Sequence, residues 1–238
     1  MEGVMESYNQ FGQRIGPELP EWTTREMPEK VSLRGLYCNV IPLAIDHAED
    51  LFPEWHSIED ERDWTYLEGD RPKDKAACYA WLRELIAHKE RYYFSVQDQK
   101  DDQVKGIFYI GKVDPDNGSF DISEINWTPL MKRTRSSTES LYLILAYFFD
   151  NLKYRRCEWR TSIYNAEGTR SAERIGFVKE GVLRDKKVRK GHSTDIAVFS
   201  ITRKEWPGIA SMITAWLREE NFDGLGHQLQ KLSALRRY

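Results

Sequence analysis

The stretch from Asp121 to Phe177 constrains the fold more than any other part of the chain, because it predicts a strand, a turn, a helix, a second strand and a short helix in close succession. The apolar residues of the first helix recur at spacings of four, three and four, namely Leu141, Leu145, Phe148 and Leu152. This spacing places them on one face of a 3.6-period helix. The succession predicts an α/β domain whose helices pack on a central sheet.

Other parts of the chain add strands and helices to this domain. The predicted strands cover 31–43 (with a turn near Gly35 or Pro42), 92–96, 104–113, 119–127, 157–163, 182–188 and 195–202. Helices are predicted over 44–51, 58–67 and 74–88. Proline and glycine interrupt the first 30 residues, so we expect an arm over 1–30 that lies across a domain over 31–203. Residues 204–238 predict a C-terminal helical extension.

The turn before the first of these two helices concentrates cations and hydroxyl groups where the helix begins. Ser136 and Glu139 have the spacing of a capping box. A helix N-terminus offers unpaired N–H groups and the positive end of the helix dipole, which together suit a phosphate. The alternative is an ordinary capped surface helix preceded by solvated charges. The residues predicted to hold the anion are Lys132, Arg133, Thr134, Arg135, Ser136, Ser137 and Thr138.

The second helix carries a recognisable pattern. Asn165 stands at an N-cap position and Gly176 at C′, and between them come Gly168, Arg170 and Glu173-Arg174-Ile175, with Phe177 after them. This pattern resembles the GNAT superfamily of N-acetyltransferases, in the branch that acetylates ribosomal-protein N-termini. That branch has Asn-x-x-Ser-x-Arg at the start of this helix and Glu-Lys-x-Gly-Phe at its end. The resemblance covers roughly residues 8 to 206 and is most specific over 121–188.

Two departures from the family pattern stand in the cofactor region. Gly168 occupies the place of the serine. The family's pyrophosphate turn reads Gln/Arg-x-x-Gly-x-Gly/Ala, and Lys132, Arg135 and Ser137 stand at its defined positions here. Both small residues are therefore replaced, although glycine lets a backbone approach a phosphate closely.

The resemblance implies a mixed, mostly antiparallel sheet with helices on both faces and acetyl-CoA in a cleft between two splayed strands. It implies that the backbone of the segment from Ile125 through Trp127 to Thr128 pairs with the pantetheine arm. Asn165 would contact the pantetheine amide, and Arg170 and Arg174 would meet the adenosine phosphate. For the two arginines, surface pairing with Glu167 or Glu173 is the alternative.

For catalysis, the resemblance implies Glu124 as the general base, because related enzymes often use a glutamate on this strand. A hydrogen-bonded structural acid or an anchor for the substrate amine is the alternative. Many relatives place a tyrosine four residues before the Gly-Phe pair, whereas this chain has Ala172 there. Ser171 and Tyr164 lie nearby, and the general acid stays unassigned.

The segment over 44–67 is rich in acidic and aromatic residues, and the resemblance implies that it forms one wall of the acceptor site. Such a wall would attract a cationic amine by charge and by cation–π contact. A solvated helix face above a few core aromatics is the alternative. The acceptor is expected to be a primary amine, of a small molecule or of a protein N-terminus.

The composition bounds the kinds of partner. The 238 residues carry a formal net charge of −3, which gives no reason to expect nucleic acid as the main partner. Cys38, Cys78 and Cys157 are scattered, and no Cys/His spacing predicts a metal site or a disulfide framework. The sequence has no apolar run of about 18 residues and no signal-peptide core, so we expect a cytoplasmic protein without a membrane partner. A monomer or a homodimer is expected.

These observations lead to one prediction and one rival. The chain is predicted to transfer an acetyl group from acetyl-CoA directly to a primary amine in a ternary complex. The rival is a catalytically inactive relative that binds acyl-CoA, or nothing, and acts as a regulatory or interaction protein. The altered turn and the missing tyrosine motivate the rival.

Overall fold

An eight-stranded sheet forms the centre of the structure, a computed structural model that describes residues 7–236. A short hairpin of β1 (Ser7–Tyr8) and β2 (Arg14–Ile15) precedes it. The sheet contains β3 (Leu33–Arg34), β4 (Cys38–Pro42), β5 (Tyr92–Asp98), β6 (Val104–Asp114), β7 (Ser119–Trp127), β8 (Arg156–Ser162), β9 (Val178–Arg189) and β10 (His192–Thr202). Their order is β3-β4-β5-β6-β7-β8-β10-β9, and among these neighbours only β7 and β8 run parallel. The predicted mixed, mostly antiparallel sheet is confirmed.

Five helices pack on this sheet: α1 (Ala48–Trp55), α2 (Lys75–Ile86), α3 (Arg135–Ala146), α4 (Ala166–Ile175) and α5 (Trp206–Leu217). One core joins α3, α4 and α5 to the sheet and contains Phe94 and Phe108. A second core joins α1 and α2 to the sheet and contains the adjacent residues Tyr93 and Tyr109. Because successive side chains of a strand point to opposite faces, the helices cover both faces, as predicted. Within residues 7–236, no helix is both long and apolar enough to cross a membrane.

The predicted apolar face of α3 is buried. Leu141, Leu145 and Phe148 all lie in the core with α4 and α5, and Phe148 stacks on Phe120 of β7 with ring centroids 3.9 Å apart. The α-helix ends at Ala146, and one π-helical turn then carries Phe148. The helix is therefore tied by its apolar face to the strand that precedes the turn.

The predicted capping box is wrong. The N-cap of α3 is Thr134, whose hydroxyl oxygen accepts the Ser137 N–H at 3.2 Å. The hydroxyl of Ser136 instead donates to Asp98 at 2.9 Å, and the Glu139 carboxylate accepts backbone N–H groups of the β3–β4 turn. Ser136 and Glu139 have the spacing of a capping box, but Thr134, two positions before Ser136, caps the helix. Glu139 accepts hydrogen bonds from residues outside the helix instead of from the N-cap backbone.

The helix predicted over 58–67 is also wrong. This region forms a loop with a single 3₁₀ turn at Arg62–Trp64. The Arg71 guanidinium donates to the backbone carbonyls of Trp55, Ile58 and Glu59 at 3.2, 2.9 and 3.1 Å. Backbone carbonyls that would accept N–H groups in a helix therefore accept hydrogen bonds from the Arg71 side chain instead.

The chain before β3 contacts the domain through a few polar groups. The Trp22 indole donates to the carbonyl of Asp116 at 2.8 Å, and the Tyr154 hydroxyl donates to the carbonyl of Glu26 at 3.0 Å. Residues 1–6 of the predicted arm and 237–238 of the predicted extension lie outside the described residues. The division into arm, domain and extension stays a prediction.

Candidate active site

A wedge-shaped cleft opens between β7 and β8. The two strands pair in parallel only where Ser119–Ile122 faces Arg156–Trp159. Beyond that point β7 continues to Trp127 and β8 to Ser162 without pairing with each other. Backbone groups on the facing edges are thus available to a ligand, since each residue carries a donor and an acceptor that need partners.

A β-bulge lies at the base of this cleft. The register of β7 against β6 shifts between the pairs Ser123–Tyr109 and Asn126–Ile107. Glu124, inside the shift, has φ of +48°, a left-handed conformation that is costly for a residue with a Cβ atom. Bulges change the direction of a side chain, and such strain often accompanies function. The bulge therefore changes the direction of β7 at Glu124.

The Glu124 carboxylate is held on both oxygens. One oxygen accepts the backbone N–H of Glu68 at 2.7 Å, and the other lies 3.5 Å from the Arg189 guanidinium. Burial, the largest influence, raises the pKa of Glu124, and the carboxylate of Glu68 acts in the same direction. The Glu68 N–H, Arg189 and Lys187 oppose that rise. A largely buried, oriented carboxylate with a raised pKa is a better proton acceptor than a solvated glutamate, provided that it is ionised.

The turn before α3 supplies backbone donors and few free charges. Arg135 and Ser136 begin the helix, so their N–H groups have no acceptor within it. Arg133 is exposed, with φ of +63°. Lys132 forms an ion pair with Asp63, and Ser137 donates its hydroxyl to the carbonyl of Thr134 at 2.8 Å.

Two of the predicted phosphate ligands, both partly buried, lie against aromatic rings. The Arg135 guanidinium lies over the rings of Tyr37 and Phe222, 4.6 and 4.4 Å from their centroids. The Arg174 guanidinium lies over Trp216 and donates to the Thr138 hydroxyl at 2.9 Å. Both cations thus brace the first turn of α3 against the chain that follows β10.

Arg170 has a different environment. It is exposed on α4, and within residues 7–236 neither Arg170 nor Arg174 forms an ion pair with Glu167 or Glu173. Of the cations predicted to meet phosphates, Arg133 and Arg170 are the exposed ones.

The second half of the pattern folds as the sequence predicts. The Asn165 side-chain oxygen accepts the Gly168 N–H at 2.8 Å, and Gly176 ends α4 with φ of +118°. The helix begins just beyond the open end of β8, which brings Asn165 to the edge of the cleft.

Comparison with known proteins identifies this arrangement. Residues 39–178 match the family described as the acetyltransferase (GNAT) domain. The chain belongs to the GNAT acetyltransferase family. A GNAT acetyltransferase from Brucella melitensis of known structure is 37% identical, superimposes with a TM-score of 0.89, and the match covers 92% of this chain and 99% of that one.

More distant relatives agree at the level of the family. A solved GNAT structure from Chromobacterium violaceum is 31% identical over 81% of this chain and 96% of its own, with a TM-score of 0.75. The uncharacterized N-acetyltransferase p20 of Bacillus licheniformis is 26% identical over 131 residues, 53% of this chain and 71% of its own. A ribosomal-protein-S5-alanine acetyltransferase from Vibrio fischeri shares only 15% identity, with 74% and 98% coverage and a TM-score of 0.58, which shows the fold alone. The ribosomal-protein branch is therefore not specifically established.

Ala172 occupies the place of the family tyrosine, and no described residue is identified as its substitute. Ala172 is fully buried in the core, and Ser171 is exposed on α4. Tyr164 is 64% exposed, and its backbone carbonyl accepts the Tyr66 hydroxyl at 2.9 Å. The general acid remains unassigned.

The segment over 57–73 is here called the acceptor strap, after the acceptor wall that the resemblance implies for residues 44–67, and its contacts were not predicted from the sequence. Its Tyr66 hydroxyl reaches the loop between β8 and α4, and its Glu68 pairs with Arg91 and Lys187 at 3.0 and 2.9 Å. The Arg189 guanidinium donates to the carbonyl of Tyr66. These contacts join the strap to β9 and to the loop after β8, and no local pattern signals them, since Glu68 and Glu124 are 56 residues apart.

The acidic and aromatic residues predicted to form the acceptor wall mostly contact other residues of the protein. Trp55, Trp64 and Trp81 pack edge to face with centroids 5.2 to 5.7 Å apart, and the first two are buried. Several of the predicted acids are paired with cations, Asp63 with Lys132 among them. This arrangement favours the alternative of core aromatics beneath a polar surface.

Gly168→Ser, which restores the family residue, is expected to destabilise this protein by about 1 kcal/mol through loss of the helix cap. A Cβ atom at Gly168 would lie 2.7 Å from the Thr161 hydroxyl and 2.8 Å from the Asn165 side-chain nitrogen. Urea denaturation followed by circular dichroism measures the change. Helix propensity alone predicts the opposite sign, a gain of about 0.5 kcal/mol, so a stabilised variant would contradict the steric argument.

Proposed function

We propose that this GNAT protein transfers the acetyl group of acetyl-CoA directly to a primary amine held beside Glu124. The observation that carries the proposal is the cleft between β7 and β8, which has the largely buried carboxylate of Glu124 at its base and the N-terminus of α3 beyond its open end. Family membership supports the same reaction class.

In the proposed reaction, the amine nitrogen attacks the thioester carbonyl carbon while the carboxylate of Glu124 accepts a proton from it, directly or through water. A carbon–nitrogen bond forms, and the carbonyl oxygen becomes an oxyanion that a backbone N–H of β7 stabilises. The intermediate collapses, the carbon–sulfur bond breaks, and CoA leaves as a thiolate. Glu124 then releases its proton to solvent, and the thiolate is protonated there or departs charged.

The residues present fit acetyl-CoA. The N–H groups of Arg135 and Ser136 would receive the pyrophosphate at the positive end of α3, and exposed Arg133 would neutralise part of its charge. Along β7, the side-chain nitrogen of Asn126 and the hydroxyl of Thr128 are buried and have no hydrogen-bond partner among the described residues. Pantetheine carries amide carbonyls that such donors can bind. Asn165 lies at the opposite edge of the cleft.

The acceptor amine would enter beneath the acceptor strap. Glu124 and Glu68 supply negative charge there, and Arg91, Lys187 and Arg189 supply positive charge. Such a mixed surface suits an acceptor that carries polar groups of both signs around its amine. Both a small molecule and a protein N-terminus meet this description, and we propose the amine as the class.

The proposal is tested by calorimetric titration of the protein with acetyl-CoA, with Arg133→Glu as the variant. Reversing this exposed charge is expected to weaken binding by about tenfold to a hundredfold, because a charged hydrogen bond to phosphate is replaced by repulsion. Arg184→Glu, an exposed arginine on β9, is the matched control and should bind as the parent does. Release of CoA thiol is then followed with a panel of amines and short peptides.

The outcomes separate the proposal from its rival. Binding that is weakened in Arg133→Glu but not in Arg184→Glu, together with thiol release that depends on an added amine, supports acetyl transfer. Binding without amine-dependent release would leave a non-catalytic acyl-CoA-binding protein. A folded parent protein that binds no acetyl-CoA would refute the cofactor assignment.

A further inference from the structure

An ion pair joins the two halves of the proposed site. Lys132, in the turn before α3, places its ammonium group on the carboxylate of Asp63, in the acceptor strap. The Asp63 side chain is 18% exposed and that of Lys132 is 35% exposed. Water therefore screens this pair less than it screens a pair on an open surface. The contact links the candidate phosphate turn directly to the strap.

The strap around Asp63 closes the acceptor side of the cleft. Three residues beyond Asp63, the Tyr66 hydroxyl donates to the Tyr164 carbonyl across the cleft. Two residues further, the Glu68 N–H donates to the carboxylate of Glu124. A few residues of backbone thus join Asp63 to the two groups that stand between the acceptor and the candidate base.

The Lys132 ammonium group cannot form its best ion pair with Asp63 and with a pyrophosphate at the same time. A pyrophosphate carries more charge than one carboxylate and would lie over the same turn, where the dipole of α3 already favours it. The protein then has two forms, one with the ion pair between Lys132 and Asp63 and one without it. A ligand that binds better to the form without the pair increases the population of that form. The coupling is reciprocal, so the pairing of Lys132 with Asp63 also weakens binding of the ligand.

We propose that Asp63 is a positioning residue that acts on the cofactor site through Lys132. Phosphates on the turn take Lys132 from Asp63, and the released strap then admits the amine to Glu124 after acetyl-CoA has bound. This inference rests on the proposed function, because it requires the phosphates of acetyl-CoA on this turn. It adds to that function an interaction that makes acceptor entry depend on the cofactor.

A double-mutant cycle on CoA affinity tests the role of Asp63. Asp63→Asn is expected to bind CoA about fivefold more tightly than the parent, because CoA no longer has to break the ion pair with Lys132. A fivefold change corresponds to an ion pair that contributes about 1 kcal/mol. Lys132→Met is expected to bind about tenfold more weakly, because a cation near phosphate is lost. In the Lys132→Met background, Asp63→Asn should have no further effect. Asp60→Asn is the matched control, since Asp60 lies in the same strap and pairs with Arg62 instead.

Amide hydrogen exchange provides a readout that does not depend on affinity. The Glu68 N–H reports strap opening directly, because it is donated to Glu124. CoA should accelerate exchange in the peptide that contains Glu68 in the parent protein. In Asp63→Asn, exchange should be fast before CoA is added and should change little afterwards.

The possible results separate this inference from the proposed function. An unchanged CoA affinity in Asp63→Asn, or the same gain with and without Lys132, would refute the role of Asp63 while leaving the cofactor site intact. Slower Glu68 exchange with CoA would refute release of the strap. A parent protein that does not bind CoA would refute both proposals.

Discussion

Glu124→Gln is expected to lower kcat/KM for amine acetylation by about a hundredfold to a thousandfold, because it removes the group proposed to accept the amine proton. Glutamine has nearly the same shape and still accepts the Glu68 N–H, which lies 2.7 Å from the Glu124 carboxylate in the parent. Affinity for acetyl-CoA should therefore be close to that of the parent. Stopped thiol-release assays at saturating acetyl-CoA measure the change.

The pH dependence separates a proton acceptor from a structural acid. The base must be ionised to act, and burial raises the pKa of Glu124 above its usual value. Activity of the parent should fall as pH decreases through a pKa above the ordinary glutamate value of about 4.3. Glu124→Gln has no group to titrate there, so its residual activity should lack this acidic limb.

A matched control is Glu173→Gln, which makes the same change on the exposed side of α4. It should keep both the rate and the pH profile of the parent. If Glu124→Gln keeps the parental rate, Glu124 is not the base. If it loses activity but keeps the acidic limb, another group accepts the proton and Glu124 serves to anchor the amine.

Glu139→Ala is expected to destabilise the fold by about 4 kcal/mol, a large part of the stability of a domain of this size. Glu139 lies on α3 and is buried, and its carboxylate accepts the N–H groups of Leu36, Tyr37 and Cys38 at 2.7, 2.7 and 2.9 Å. Truncation leaves three donors of the β3–β4 turn without an acceptor. Equilibrium unfolding in urea measures the loss.

The backbone of this turn is shaped around the carboxylate. A Cβ atom at Gly35 would lie 2.5 Å from the Glu139 carboxyl carbon, so the turn has no space for a side chain there. Glu139→Gln keeps one acceptor oxygen and should lose less stability than Glu139→Ala. Glu173→Ala, on an exposed helix position, should change stability by less than about 0.5 kcal/mol. An equal effect of the two alanine variants would contradict the role of Glu139.

Several features followed from the sequence because neighbouring residues determine them. The buried face of α3 required only the spacing of its leucines, and Asn165 and Gly176 begin and end α4 through bonds within the helix itself. The hairpin between β9 and β10 turns at Lys190 and Gly191, between the strands predicted over 182–188 and 195–202. The fold class and the splayed strands followed from the family resemblance, and the sheet confirms both.

Other features depended on partners that no local pattern could indicate. The spacing of Ser136 and Glu139 was that of a capping box, but the donors for Glu139 come from residues 101 to 103 positions earlier in the chain. The predicted helix over 58–67 did not form, since Arg71 binds the carbonyls it needed. Likewise, the strap reaches Glu124 through a contact that exists only in the folded chain.

By itself, the sequence determined where the strands and most helices lie, how α4 is capped and which family the chain resembles, because these depend on spacing and composition within a few turns. Only the tertiary structure decided which charges remain open to a ligand. It packed Arg135 and Arg174 against aromatic rings, left Arg133 exposed and paired Lys132 with Asp63. A long charged side chain reaches several ångströms from its backbone, so its partner is chosen by the packing of distant segments and not by its neighbours in the chain.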